Sequence, residues 1–549
     1  MSREEPAILV DGLVKRYGEL LAVDHISFQV TEGEIYGFLG PNGSGKTTTI
    51  RMLVGLAQPD EGSASLLGYH LPAGINQAKR YMGVVPDVSN LYDELSALDN
   101  LLFMAQLYGV PHEEQKPRAE QLLRDFGLYE RRNDRFSAFS RGMKRALTIA
   151  AALIHQPRLL FLDEPTTGLD AAAARSLRAL ISGLSDKGLT IFLTTHYLEE
   201  ADLLCDRIAI LVRGRIVRID TPAGLKRLVQ TESLVEFTFR GDILPLAKEL
   251  ESRLGKAKAA FLDPRRIRIY GGDPAQPGGR LHQSRWPFSS GYGGREEPWQ
   301  GEGVRAVAWQ DELRGIYHIA IKDMRTYYLK PPALSWGMVF PLAWTLAFYL
   351  RSPGDFAELV PGLLAMTIVF STTAAEAVVI NFELRLGTLE RLLLAPIGIT
   401  SVLLGKVLGG FLFGLFTTAI VAAASILYMD LHPDILGLAI IAVPSLMVFS
   451  SMGALFSVSV KEVFEAQTLL NLPRFLMVFL CGVVYPISAL PDGLQLLARL
   501  LPLTYTVQGL RISFFEHGDS LLWQDFAALL VFMILFLLPA ISLLHRRFR

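Results

Sequence analysis

Cysteine is nearly absent from this chain: Cys205 and Cys481 are the only two in 549 residues. One lies in each half. Two isolated cysteines make no disulfide framework, which excludes a small, disulfide-stapled secreted design and suits a cytosolic setting for the first half. A surplus of charge of one sign is missing too. The formal net charge is −1, without the basic excess with which dedicated nucleic-acid binders neutralise phosphates. The N-terminus, MSREEPAILVDGLV, lacks a basic region followed by a long apolar run, so no cleaved signal peptide is expected. The last third has little charge of either sign. Charged residues are frequent up to about Asp323 and sparse afterwards, where Leu, Ala, Val, Phe and Gly dominate. A single core does not serve a chain of this length, and about two to four units are expected.

What is present is organised around residues 35–49, IYGFLGPNGSGKTTT. Ile35 to Leu39 predicts a short apolar strand, residues 40–45 a glycine-rich turn, and Lys46 the start of a helix. Gly40, Gly43 and Gly45 let the backbone curl so that its amides cradle phosphate oxygens, with Lys46 reaching the β- and γ-phosphates and the Thr47 hydroxyl ligating Mg²⁺. Pro41, Asn42, Ser44 and Thr48 complete the loop expected to touch the nucleotide. The helix beginning there turns its positive dipole end to the same anion.

Around this loop the chain predicts the rest of an α/β domain. Residues 7–30 read as strands of an edge sheet, and Tyr17 stands where an aromatic ring could stack on a purine. MGVVP, residues 82–86, reads as a strand ending at Asp87, and residues 91–126 carry helical periodicity. In FSRGMKRALTIAAALI, Ser140 and Gly142 open a helix whose free amides offer a second phosphate contact. LLFLDEP is an apolar strand with Asp163 and Glu164 at its C-terminal end. Mg²⁺ for Asp163 and an attacking water for Glu164 fit such an acidic pair. TIFLTT ends in His196, at the strand end where ligands collect in parallel sheets.

These ordered motifs resemble the ATP-binding cassette (ABC) transporters, over about residues 7–225. The resemblance implies ATP and Mg²⁺ as cofactors. Lys46 and Thr47 match the Walker A positions, Asp163 and Glu164 the Walker B aspartate and catalytic glutamate, Asp170 the D-loop, His196 the switch histidine and Tyr17 the adenine-stacking aromatic. Ser140 and Gly142 match the signature sequence, which in this family lies across the γ-phosphate bound by the other subunit. The catalytic set implied is Glu164, His196 and Lys46; the metal set is Thr47, Asp163 and Asp87. Two departures stand out. The signature reads FSRGM where the family has LSGGQ, and Asp87 occupies the position of the Q-loop glutamine.

Beyond residue 225 a small α/β appendage is expected at 226–272, read as strand, helix, strand (LVEFTF, LPLAKELESRL, RRIRIY). A Gly-, Pro- and Ser-rich flexible linker follows at 273–303, and an interfacial connecting helix at 304–332. Residues 333–549 carry six apolar stretches near the roughly 20 residues that span a bilayer: 334–350, 359–380, 407–428, 435–460, 469–490 and 522–544. The fold class is therefore an α/β P-loop ATPase domain of ABC type at 5–225, followed by an all-α six-span transmembrane domain. Arg385, Arg391, Lys406, Lys461, Arg546, Arg547 and Arg549 mark the cytoplasmic side, against Arg351, Arg499 and Arg511. That places the ATPase in the cytosol and the chain in the cytoplasmic membrane.

Two membrane-half segments resemble the permease of the second ABC exporter class, in the G-subfamily order of ATPase first. FELRLGTLERLLLAP resembles its intracellular coupling loop, with Glu383, Arg385, Glu390 and Arg391 as a charged face and Leu389, Leu392 and Leu393 as an apolar one. VVYPISALPDGLQLLARLLPLTYTVQGLR resembles its re-entrant segment, broken by Pro486, Pro491 and Pro502. Arg474, inside the fifth stretch, is expected to face protein or water. The function expected is ATP-driven export of a drug, lipid, peptide or glycan by a homodimer, with a heterodimer as the variant and no nucleic-acid partner. The alternatives are a membrane-anchored mechanical ATPase that regulates an envelope partner, and an importer.

Overall fold

The computed structural model describes residues 6–230, 233–238, 258–263, 266–271, 309–351, 356–460, 462–516 and 520–548. The strands of its first part are β1 (Ile8–Tyr17), β2 (Leu20–Val30), β3 (Ile35–Leu39), β4 (Glu61–Leu66), β5 (Tyr69–His70), β6 (Met82–Val85), β7 (Leu159–Asp163), β8 (Thr190–Thr195), β9 (Arg207–Val212) and β10 (Arg215–Asp220). They build two sheets. An antiparallel sheet runs β2-β1-β4-β5, and a six-stranded sheet runs β10-β9-β3-β8-β7-β6. From β9 to β6 the second sheet is parallel, so its central strands are buried on both faces and read as continuous apolar runs. LLFLD of β7 and TIFLTT of β8 are buried at every residue.

Phe28 of β2 packs on Tyr36, Phe38 and Phe192 with ring centroids 5.0–5.9 Å apart, which joins the edge sheet to the central one. β3, β8 and β7 are neighbours, so the turns leaving their C-terminal ends meet at one edge. Helix starts are fixed by side-chain caps. Ser96, Ser140 and Asp170 accept amide hydrogens at the starts of helices Ala97–Tyr108, Arg141–Leu153 and Ala171–Ser185. The stretch expected to be helical over 91–126 is two helices, divided by Gly109 in the left-handed region (φ 76) and Pro111.

The appendage departs from strand, helix, strand. Its described residues form a three-stranded antiparallel sheet in which KAAFLD, Lys258–Asp263, adds a strand beside Arg266–Gly271, with Ser233–Thr238 on the other side. The helix expected at LPLAKELESRL and the linker at 273–303 lie outside the described residues.

In the second part, Trp309–Asp323 forms the connecting helix. Among the described residues three later helices are long and apolar enough to cross a membrane: Ile399–Met429, Ile435–Ser459 and Leu521–Arg547. The other expected stretches differ in detail. Residues 334–350 are shared between a π-helical turn at Ser335–Val339 and a helix at Phe340–Arg351. The second stretch becomes Phe356–Leu386, 31 residues that run past bilayer length toward the coupling loop. The fifth is Val463–Leu480, earlier than expected, because Gly482 in the left-handed region (φ 82) turns the chain. The proline-broken segment forms short helices at Asp492–Arg499 and Pro502–Arg511. Arg474 is buried against Phe370, its guanidinium 5.6 Å from the ring centroid.

Cross-links sort the helix ends into two groups. The Tyr349 and Tyr428 hydroxyls are 3.1 Å apart, and the Asp434 amide donates to Ser513 O at 2.8 Å. At the opposite end Arg547 donates to Val460 O at 3.1 Å.

The ATPase docks at that opposite end through a short coupling helix, Thr388–Leu393. Leu389, Leu392 and Leu393 are buried in the same core cluster as Leu101 and Met104 of the first part. At about 1.5–3 kcal/mol for each fully buried leucine, this apolar face holds the helix. The half-exposed pair of Arg51 with Glu390, 3.0 Å apart, adds at most about 1 kcal/mol. Of the expected charged face only Arg385 is exposed, with Glu390 partly so. Arg391 is wholly buried and donates to Val84 O at 2.7 Å, and Glu383 is 0% exposed. Lys79 donates to Leu393 O (2.5 Å), Tyr108 to Leu394 O (3.1 Å) and Asn90 to Gly387 O (3.2 Å). Burial lowers Lys79 to about 8.

Candidate functional site

The turn after β3 owes its shape to positions where no side chain fits. A Cβ at Gly40 would lie 2.3 Å from Leu211 O, and one at Gly45 2.5 Å from Ala22 O. Gly43 (φ 77) and Gly45 (φ 104) are in the left-handed region that glycine occupies without strain. The helix Lys46–Leu53 starts at Gly45 with no side-chain cap, which leaves its first amides facing the loop. Buried Ser44 Oγ has no hydrogen-bond partner among the described residues. Curled backbone, free amides and an orphan hydroxyl form a cradle that fits an anion.

Lys46 is 4% exposed and donates to Gly40 O (2.8 Å) and Pro41 O (3.1 Å). Its Nζ also lies 3.3 Å from Glu164 Oε1. Glu164 follows β7 with φ 46, an uncommon backbone for a residue with a side chain. Its amide is held by Thr194 O and Thr194 Oγ1, both 3.1 Å away. That backbone aims the carboxylate across the gap toward β8. Glu164 Oε2 accepts from Thr167 Oγ1 (3.0 Å) and lies 3.1 Å from His196 Nδ1. An ionised carboxylate only accepts, so Nδ1 carries the hydrogen and Nε2 is left for another partner.

Asp163 is 3% exposed, and Thr194 Oγ1 donates to its Oδ1 at 2.5 Å. Burial lifts its carboxyl above the usual carboxylate range, opposed by hydrogen bonds from Thr194 and Thr47. A cation at Asp163 and Thr47 would offset that burial, so these two side chains fit Mg²⁺. Asp87 is exposed, and its carboxylate caps the Val88 amide at 2.8 Å.

The structure thus brings together the glycine-rich loop, Lys46, Thr47, Asp163, Glu164 and His196. Tyr17 stands at the end of β1, 47% exposed, with Lys15 Nζ 5.5 Å from its ring. Ser140, Gly142 and Asp170 are not part of this cluster. Ser140 and Asp170 are exposed and bond to amides of their own helices.

One residue of the site escapes a reading of the sequence. Arg145 is buried on the inner face of helix Arg141–Leu153. It donates to Pro86 O, to Asp87 O (3.1 Å), to Asp163 O (2.5 Å) and to Pro165 O (3.0 Å). One guanidinium therefore joins the loop after β6 to the end of β7, and although burial lowers it to about 10 it stays charged at neutral pH. The available signal is an arginine on the apolar face of RALTIAAAL, where its charge needs buried acceptors. Arg145→Met leaves those carbonyls unsatisfied at about 1–3 kcal/mol each. The expected outcome is a thermal midpoint several degrees lower and a raised KM for ATP, both read on the purified protein; unchanged values would contradict the joining role.

A phosphate-cradling loop with an acidic pair and a histidine at adjacent strand ends, docked on apolar helices, defines a P-loop nucleoside triphosphatase joined to a membrane domain. The ABC transporter family pattern matches residues 23–167, and the ABC-2 type transporter pattern matches residues 314–515. The linearmycin resistance ATP-binding protein LnrL of Bacillus subtilis is 40% identical over 231 residues, 42% of this chain and 74% of that protein. The Nod factor export ATP-binding protein I of Mesorhizobium japonicum is 44% identical over 215 residues, 39% of this chain and 63% of that protein. A solved structure of the ATP binding subunit of an ABC transporter is 33% identical, with 41% of this chain and 93% of that one covered at a TM-score of 0.38. The chain belongs to the ABC transporter family. It is a multi-pass membrane protein whose ATP-binding domain hydrolyses ATP in support of transport.

Proposed function

We propose that the chain is a half-transporter, two copies of which close over two ATP molecules and so drive export of a small molecule or lipid across the cytoplasmic membrane. The observation that carries this is the division of the site within one copy. Lys46, Asp163, Glu164 and His196 converge, whereas Ser140 and Asp170 lie exposed on their own helices. A second copy would bring Ser140 and Gly142 to the γ-phosphate.

In this reading ATP displaces Lys46 from Gly40 O, Pro41 O and Glu164, and Lys46 turns to the β- and γ-phosphates. Released from Lys46, Glu164 accepts the proton of the attacking water, while His196 keeps its Nδ1 bond to Glu164 and presents Nε2 to the γ-phosphate. Thr47 and Asp163, with help from Asp87, would hold Mg²⁺, which would supply positive charge against the negative charge developing on the phosphates. Tyr17 stacks on the adenine.

The helix ends that meet the ATPase lie on the cytosolic side, and six stretches cross the bilayer. Trp309 and Tyr317, exposed on the connecting helix, sit at headgroup level. Export, rather than import, is carried over from the relative named for Nod factor export.

The test is ATPase activity of the purified chain in vesicles, screened with drugs, lipids, peptides and glycans. Stimulation by a compound that also accumulates in inside-out vesicles supports export. Hydrolysis that no compound stimulates, with no accumulation, favours a mechanical ATPase. Asp87 makes a further prediction. Among the described residues its carboxylate accepts only from the Val88 amide, so Asp87→Ala should lower compound-stimulated ATPase more than basal ATPase, and an equal fall in both would place Asp87 in hydrolysis itself.

A further inference from the structure

Four charged side chains are buried together where the helical part meets the ATPase: Lys322, Asp323, Glu383 and Lys406. Lys322 Nζ lies 2.5 Å from Asp323 Oδ1 and 2.5 Å from Glu383 Oε1. Lys406 Nζ lies 2.9 Å from Asp323 Oδ2 and 2.6 Å from Glu383 Oε2. The signs alternate, the ring closes and its net charge is zero.

Its members come from the three segments that surround the coupling helix. Lys322 and Asp323 end the connecting helix, Glu383 lies in the last turn of Phe356–Leu386, and Lys406 in the early turns of Ile399–Met429. Buried ion pairs are poor glue, because desolvation consumes most of the attraction and apolar replacements often match them. What a closed ring of charges supplies is register. In this placement of the three segments each of the four groups faces two groups of opposite charge.

A further contact leads from the ring to the nucleotide site. Lys322 Nζ sits 4.3 Å from the ring centroid of Tyr92, which belongs to the ATPase. A desolvated cation over an aromatic face is attracted to it. Tyr92 is fixed by Asn100, which accepts from the Tyr92 amide (2.9 Å) and donates to its carbonyl (3.0 Å). Residues 87–92 therefore begin at Arg145, which holds Asp87 O beside Asp163, and end on the charged ring.

We propose that the Lys322–Asp323–Glu383–Lys406 ring is the positioning device through which movement of residues 87–92 on ATP binding reaches the permease, with Tyr92 on Lys322 as its input. The inference rests on the reading that ATP drives the permease. These are positioning residues, since none touches the nucleotide.

The experiment follows hydrogen exchange in peptides from helices Ile399–Met429 and Val463–Leu480, with and without ATP and Mg²⁺, in full-length Glu164→Gln protein in lipid nanodiscs. Three variants are added to that background: Glu383→Gln with Lys406→Met, which keeps the site neutral; Tyr92→Leu; and Tyr92→Phe. In the parent, ATP should change exchange in these helices by about tenfold, the ordinary range of coupling between sites. The neutral-ring variant and Tyr92→Leu should keep ATP affinity within about twofold, as expected of changes remote from the nucleotide, and lose the permease response. Tyr92→Phe should behave as the parent, because the Tyr92 hydroxyl makes no hydrogen bond among the described residues. A folded neutral-ring or Tyr92→Leu protein with the parent's permease response overturns the proposal. If the ring variant does not insert, Tyr92→Leu alone decides. A parent with no permease response overturns the transport reading itself, whatever the variants do.

Discussion

Glu164→Gln should leave ATP binding intact and cut turnover by about two to four orders of magnitude, the scale of a lost general base. The geometry gives the reason. Glu164 is held in a left-handed backbone by two contacts to Thr194 and stands between Lys46 at 3.3 Å and His196 at 3.1 Å. The amide of glutamine fills the same space and can keep the hydrogen bond to His196, but it does not take a proton from water. Phosphate release in single-turnover mixing measures the chemical step apart from binding. A Glu164→Gln protein that hydrolyses at the parental rate removes Glu164 from the reaction.

Arg391→Glu should break communication between the two parts while leaving ATP affinity near that of the parent. Arg391 is wholly buried, and its guanidinium donates to the carbonyl of Val84 in β6. Glutamate there would turn a buried carboxylate toward a carbonyl oxygen in place of the guanidinium that donates to it, and breaking such a buried charged contact costs about 3–5 kcal/mol. Glu390→Ala is the contrast. It removes a half-exposed pair with Arg51, for which about 0–1 kcal/mol is expected. Stimulation of ATPase by transported compounds should therefore vanish in Arg391→Glu and largely persist in Glu390→Ala. Equal behaviour of the two would mean that the coupling helix does not act through its buried arginine.

Much of this arrangement is legible in the sequence because it depends on local pattern. The strand at Ile35–Leu39 and the helix starts at Lys46 and Ser140 follow from apolar runs and glycines, and all appear where expected. Parallel order then places Glu164 and His196 beside the loop. The extra strand Lys258–Asp263 is less visible, since KAAFLD alternates weakly and gains its place only by pairing with Arg266–Gly271. Charges mislead for a similar reason. Glu383 and Arg391 read as members of a charged face, yet each is buried because a partner distant in sequence meets it. Nor does the pattern of apolar runs show where an apolar helix stops when a single glycine, Gly482, sets the end of Val463–Leu480.

A disulfide test asks most directly whether two copies share each nucleotide site. Asn42→Cys in the phosphate loop and Ser140→Cys in the signature turn would be combined in Glu164→Gln protein. The native thiols of Cys205 and Cys481 are both buried, which keeps the background low. If ATP draws two copies together, oxidation with ATP and Mg²⁺ should give a covalent dimer on a non-reducing gel, with little dimer without nucleotide and none in either single-cysteine protein. A chain that stays monomeric on the gel under all conditions, while still binding ATP, would contradict a site completed by a second copy.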